Sequence, residues 1–88
     1  MGTEKTRQIK TNWFMVRIEM ALDRGCYVSE DKLISEFCGF FFSTRRTAEE
    51  ILDMLEDNGN ILRKDGLVWT QKHYEAYLIE KELKNVGS

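Results

Sequence analysis

The chain has 88 residues, of which 42% are hydrophobic and 32% charged, and its formal net charge is −2. This length allows one domain, spanning 1–88, with a modest core, and the apolar content excludes a disordered chain. A negative net charge also argues against a broad basic face, so a nucleic-acid site on this chain has to be local.

The first ten residues are polar and lead into an amphipathic segment, so we expect neither a signal peptide nor a membrane span. We therefore expect a cytoplasmic protein. Cys26, Cys38 and His73 lack the spacing of a metal site, which predicts no metal and no cofactor. Reduced thiols are expected, with a Cys26–Cys38 disulfide as the alternative. His73 has no Cys, Asp or Ser at a recognisable spacing and no glycine-rich phosphate loop is present, so no enzyme and no small-molecule ligand are predicted.

The first predicted helix covers 6–24. Ile9, Trp13, Val16 and Met20 follow one another at spacings of four, three and four, which is one stripe of a helix. Other apolar residues widen this stripe, namely Phe14, Ile18, Ala21 and Leu22. A helix that is apolar over so much of its circumference is expected to contact more than one neighbour, such as its own core and a partner chain.

A short β-prone step at Tyr27–Val28 precedes the second helix, for which Ser29 is the predicted N-cap. Leu33, Ile34 and Phe37 are its expected inward residues, and Gly39 is expected to end it. The turn that follows is then residues 40–42, three consecutive phenylalanines. We expect at least two of them to enter the core; the alternative is an exposed protein-binding patch.

Ser43 is the predicted N-cap of a third helix that ends at Asn58-Gly59. Its expected core face consists of Ala48, Ile51, Leu52 and Leu55. Asp65-Gly66 then predicts a tight hairpin between strands at 60–63 and 67–70. A last helix over 71–85 presents an apolar side made of Tyr74, Tyr77, Leu78 and Leu83.

This order of elements, with the stretch LISEFCGFFFSTRRTAEEILDMLEDNGNILRKDGLVWT, resembles the winged helix-turn-helix family over about residues 9 to 70. The resemblance implies a mostly helical α+β domain, arranged as helix, short strand, helix, recognition helix, hairpin wing and final helix. STRRTAEEIL stands where the family has the Ser-capped, Arg-containing start of its recognition helix. The sequence departs from the family at residues 39–42, where Gly39 and three phenylalanines stand in place of the usual small-residue turn.

Burying the apolar face of the third helix turns Arg46 outward and leaves Arg45 at the edge. Arginine can pair with guanine, and Glu49 can accept a hydrogen bond from cytosine one turn further along. Phosphate contacts are expected from the helix start and from the wing. The predicted DNA-binding residues are Ser43, Thr44, Arg45, Arg46, Glu49, Arg63 and Lys64. The alternative for both arginines is pairing with Glu49 and Glu50, four residues on.

The sequence therefore predicts a sequence-specific protein that binds double-stranded DNA and regulates transcription. The alternative is a winged-helix protein-interaction module that binds no DNA. A continuous positive strip from Ser43 to Lys64 favours DNA, whereas interleaved acids favour a protein partner. A homodimer held by helices 6–24 and 71–85 is also predicted, unless both helices simply pack on their own core. Its predicted interface residues are Trp13, Phe14, Tyr74, Tyr77 and Leu78.

Overall fold

The computed structural model describes the backbone of residues 2–86 and the side chains of residues 6–83. Residues 2–86 form four helices and one antiparallel hairpin, which confirms the mostly helical α+β class. The elements in chain order are α1 (Gly2–Asp23), α2 (Glu30–Phe41), α3 (Arg45–Asp57), β1 (Ile61–Lys64), β2 (Leu67–Thr70) and α4 (Gln71–Val86).

The core face of α1 differs from the predicted stripe. Phe14 and Ile18 are fully buried, and the Phe14 ring stacks on Phe37 of α2 with centroids 4.6 Å apart. Ile9, Val16 and Met20 instead lie on the exposed side of the helix. Both sets have helical spacing, so periodicity alone could not decide which of them faces the core. The excess apolar surface of α1 is therefore directed at solvent.

Helix α2 begins as predicted, because the Ser29 hydroxyl accepts a hydrogen bond from the Lys32 N–H at 3.4 Å. The prediction that Gly39 ends α2 is wrong. The helix continues to Phe41, whose ring lies 4.9 Å from that of Phe37 one turn earlier. Packing of these two rings thus outweighs the low helix propensity of a single glycine.

The helix ends at Phe42, which adopts a left-handed conformation with φ of 51° and directs its N–H to the Cys38 carbonyl. Phe41 packs partly buried against the core, Phe40 is exposed, and Phe42 is 95% exposed. The expectation that at least two of the three phenylalanines enter the core is therefore wrong. The exposed side chain of Phe42 thus lies three residues before the start of α3.

Thr44, not Ser43, is the N-cap of α3. The Thr44 hydroxyl accepts a hydrogen bond from the Thr47 N–H at 3.3 Å, whereas the Ser43 N–H closes the preceding turn on the Cys38 carbonyl at 3.2 Å. The helix starts one residue later than predicted because the extension of α2 moves the turn. Its predicted core face is confirmed, since Ala48, Ile51, Leu52 and Leu55 are all buried.

This difference between two adjacent hydroxyls can be measured. Thr44→Ala is expected to lower the free energy of unfolding by about 1 kcal/mol, because an N–H in the first turn of α3 loses its acceptor. Ser43→Ala is the matched control and is expected to change that free energy by less than about 0.5 kcal/mol. Urea unfolding followed by circular dichroism gives both values. A larger loss for the Ser43 variant would contradict the observed cap.

The predicted hairpin is confirmed, with its first strand at Ile61–Lys64, one residue later than predicted. Strands β1 and β2 pair from Ile61 with Thr70 to Lys64 with Leu67. Both turn residues have positive φ, 53° at Asp65 and 78° at Gly66, as a two-residue type I′ turn requires. The segment before α2 joins the edge of the hairpin through a bridge between Ser29 and Leu67, and the Val68 N–H donates to the Val28 carbonyl at 2.9 Å.

Helix α4 packs Tyr74 and Tyr77 of its predicted apolar side on the hairpin, whereas Leu78 and Leu83 of that side are exposed. Tyr74 and Tyr77 surround Trp69 of β2, with ring centroids 5.7 and 4.8 Å from that of the tryptophan. Phe14 is fully buried, so the prediction that it lies in a dimer interface is wrong, whereas these two tyrosines are only partly buried by their own chain. Trp13 stays half-buried and Leu78 exposed. Contacts within the chain thus cover part of the surface that was predicted to form the dimer interface.

Candidate nucleic-acid interface

The first turn of α3 carries two arginines, and both are paired with carboxylates. Arg45 contacts Asp31 of α2 at 2.6 Å through Nη2 and Glu49 at 3.1 Å through Nε. The hydrogen bond to Asp31 is the main cause that raises the pKa of Arg45 above its ordinary value, and the hydrogen bond to Glu49 is the second. Arg46 contacts Glu50 at 3.4 Å. The predicted alternative, in which both arginines pair with the glutamates four residues on, is confirmed.

Pairing with Glu50 holds Arg46 only weakly. Its side chain is 89% exposed, and an exposed pair one helical turn apart contributes about 0.3 to 0.5 kcal/mol. A bidentate contact between arginine and guanine contributes roughly 1 to 3 kcal/mol of discrimination. The contact with guanine is the stronger of the two interactions, so pairing with Glu50 does not prevent Arg46 from binding a base.

Arg63 lies elsewhere than predicted. Its guanidinium faces α2 and α3 instead of the hairpin tip, and only 20% of the side chain is exposed. It contacts Glu56 at 2.8 Å and Glu30 at 3.3 Å, and Asp53 completes the group. The Arg63 N–H also donates to Glu56 at 3.1 Å. The prediction of an exposed wing residue is wrong here, because acids from two helices enclose the side chain.

The cluster formed by Arg63, Glu30, Asp53 and Glu56, called the Arg63 cluster below, ties β1 to α2 and α3. Hydrogen bonding to Glu56 is the main cause that raises the pKa of Arg63 above its ordinary value. The same bonds hold the pKa of Glu56 below its ordinary value, despite partial desolvation. These opposite directions describe a mutually stabilised ion pair with a structural role.

Lys64 is exposed at the end of β1, beside the Asp65-Gly66 turn. Its Nζ lies 5.9 Å from the Tyr74 ring centroid, a cation–π contact at the surface. Lys64 therefore keeps the predicted position on the hairpin. Thr44 is exposed at the start of α3 but uses its hydroxyl as the cap, and Ser43 is half-buried beside it.

The described surface carries no continuous positive strip between these groups. The carboxylates of Asp31, Glu49 and Glu50 pair with the two arginines of α3, and the Arg63 cluster adds three more carboxylates on the same elements. This is the interleaved pattern that favours a protein partner over DNA. Among the predicted DNA-binding residues, Arg46 and Lys64 are therefore the cations with the weakest interactions within the chain.

Sequence reasoning missed the partners of His73. Its Nε2 lies 2.7 Å from Asp23 Oδ1, and its Nδ1 contacts the Thr70 hydroxyl. Thr70 is buried and also accepts a hydrogen bond from the His73 N–H at 3.1 Å, which is the arrangement of a helix cap. The contacts from Thr70 through His73 to Asp23 therefore link the start of α4 to the end of α1. The Thr-x-x-His spacing could have indicated the cap, but Asp23 is 50 residues away in sequence.

A groove runs between the exposed side of α1 and the end of α2, with a volume of about 510 Å³. It is called the α1 groove below. Its lining is mainly apolar, and the described residues that line it include no carboxylate. The groove is formed by Ile9, Asn12, Trp13, Val16, Arg17, Met20, Ala21, Arg24, Phe40 and Phe41.

Comparison of the chain with protein-family models, with curated proteins and with solved structures gave no match. Within the described part of the chain, no three His, Cys, Asp or Glu side chains converge to hold a metal ion. No described helix has both the length and the apolar character needed to cross a membrane.

Proposed function

We propose that the chain is a cytoplasmic winged-helix protein that binds double-stranded DNA sequence-specifically and regulates transcription, with α3 in the major groove and the β1–β2 hairpin as the wing. The observation that carries this proposal is the exposed, weakly paired Arg46 in the first turn of α3. The order α2, turn, α3, hairpin supports it, as does the bridge from Ser29 to the hairpin.

The contact residues divide into base readers and phosphate binders. Arg46 is the proposed guanine reader, and Glu49 is the proposed acceptor for cytosine, held in place by Arg45. Lys64 is the proposed phosphate contact from the wing. Arg63 is not part of this surface, because its guanidinium is enclosed by carboxylates.

Selection from random duplexes, followed by titration of variants, tests this division. Arg46→Ala is expected to weaken binding to the selected duplex by roughly 1 to 3 kcal/mol and to relax the preference at one base pair. Glu50→Gln is expected to strengthen binding, because it removes a negative charge near phosphate and releases Arg46. Fluorescence anisotropy on specific and scrambled duplexes measures both effects.

Lys81→Ala is the matched control, since Lys81 is an exposed cation on α4, outside the proposed surface. It is expected to leave affinity and preference unchanged. Equal losses for the Arg46 and Lys81 variants would contradict the role of α3, and a loss for Glu50→Gln would contradict the electrostatic reasoning. Thermal melts of each variant separate loss of a contact from loss of structure.

The second candidate is a protein-interaction module that binds no DNA. Two observations favour it: acids are interleaved with the arginines of α3, and Phe40 and Phe42 are exposed. Wild-type protein that binds none of the selected or random duplexes would favour this candidate.

A further inference from the structure

The α1 groove combines an apolar floor with a basic edge. Val16 is 54% exposed on the floor, and the Arg17 guanidinium lies 5.2 Å from the Trp13 ring centroid. Lys10, Arg17 and Arg24 are spaced seven residues apart, so they follow one edge of the helix. Lys10 lies over Phe41 at 5.8 Å. An occupant of this groove should therefore be apolar and acidic.

The outer face of α4 has this chemistry. Ile79 and Leu83 are exposed and one helical turn apart. Glu75 and Glu82 lie on the same face at spacings of four and three from Ile79, and both are exposed. The opposite side of α4 packs on the hairpin, so this acidic, apolar face has no cover within the described chain.

Antiparallel pairing of like helices about a twofold axis brings like charges together. Packing α1 against α1 of a second copy in this way places the edge with Lys10 and Arg17 against the same edge. Packing α4 against α4 in the same way brings Glu75 near Glu82 of the second copy. Like-charge contacts across an interface are unfavourable. Packing α4 in the α1 groove of another copy instead places acids beside bases.

We propose that the α1 groove binds the outer face of α4 from a second copy of the chain, and that two such reciprocal contacts form a twofold homodimer. The apolar contact is made by Val16 and Met20 with Ile79 and Leu83 of the second copy. The molecule is elongated, with extents of 55 × 22 × 20 Å. This dimer does not depend on DNA binding.

Charge-reversed variants test the reciprocal arrangement by sedimentation velocity without DNA. The first is Arg17→Glu with Arg24→Glu in the groove, and the second is Glu75→Lys with Glu82→Lys on α4. Each is expected to weaken self-association about tenfold or more, because one charge pattern is repeated on both surfaces. A 1:1 mixture of the two variants is expected to form a heterodimer, since every contact then joins opposite charges.

Circular dichroism melts establish that each variant is folded, which is expected because all four positions are exposed. Glu19→Lys, on the opposite edge of α1, is the matched control and is expected to keep the dimer. Wild-type protein that stays monomeric at tens of micromolar would overturn the proposal. So would a dimer that the α4 variant leaves intact, because that result indicates α1 packing on α1.

Discussion

Phe14→Ala is expected to lower the free energy of unfolding by about 3 to 5 kcal/mol. The Phe14 ring is fully buried, stacks on Phe37 and meets the edge of Trp13 at 5.4 Å. A domain of this length has a total stability of about 4 to 13 kcal/mol. The substitution therefore removes a large share of it, and the melting temperature should fall by more than about 12 °C.

The matched control is Val16→Ala, two residues along the same helix on its exposed side. In the monomer it is expected to change stability by less than about 0.5 kcal/mol. The comparison is made by urea unfolding at low protein concentration, where association does not contribute. Similar losses for both variants would show that α1 is oriented differently about its axis.

Arg63→Met is expected to lower the free energy of unfolding by about 2 to 3 kcal/mol. Removing one member of a buried charge pair costs about 3 to 5 kcal/mol, and the partial exposure of the carboxylates reduces this value. Glu30, Asp53 and Glu56 would then face one another without a cation. Arg46→Met is the matched control, expected to change stability by less than about 0.5 kcal/mol because Arg46 is exposed.

The pH dependence of this loss identifies its cause. The pKa of Glu56 is lowered in the folded protein, so its contribution to stability is present above the ordinary glutamate pKa of about 4.3 and is lost as pH falls through the lowered pKa. The difference between wild type and Arg63→Met should therefore be largest near neutral pH and narrow below about pH 4. A difference that stays constant on acidification would attribute the loss to packing alone.

Local signals predicted much of the fold. Ser29 before two acids gave the start of α2, and Asp65-Gly66 between β-prone runs gave the hairpin, because caps and tight turns depend on a few adjacent residues. The predicted core face of α3 was also correct, since its apolar residues follow a single stripe. These features need no information about the rest of the chain.

Features that depend on distant residues could not be predicted in this way. The orientation of α1 depends on Phe37, and the extension of α2 past Gly39 depends on contacts between its own aromatic residues and Trp13. Arg63 was predicted at the surface because its partner Glu30 is 33 residues away in sequence. His73 was predicted to be without an aspartate for the same reason. Tertiary contacts decide these positions, and a single sequence does not display them.

The salt dependence of duplex binding by the wild-type protein tests DNA recognition by α3 most directly. Each phosphate neutralised by a cation contributes about −0.9 to the slope of log affinity against log salt. With Lys64 and the start of α3 as the proposed phosphate contacts, titration of a selected duplex should give a slope of about −1 to −2. The affinity should then fall by roughly 4- to 16-fold between 50 and 200 mM salt. Wild-type protein that shows no salt-dependent binding to any duplex would contradict DNA recognition.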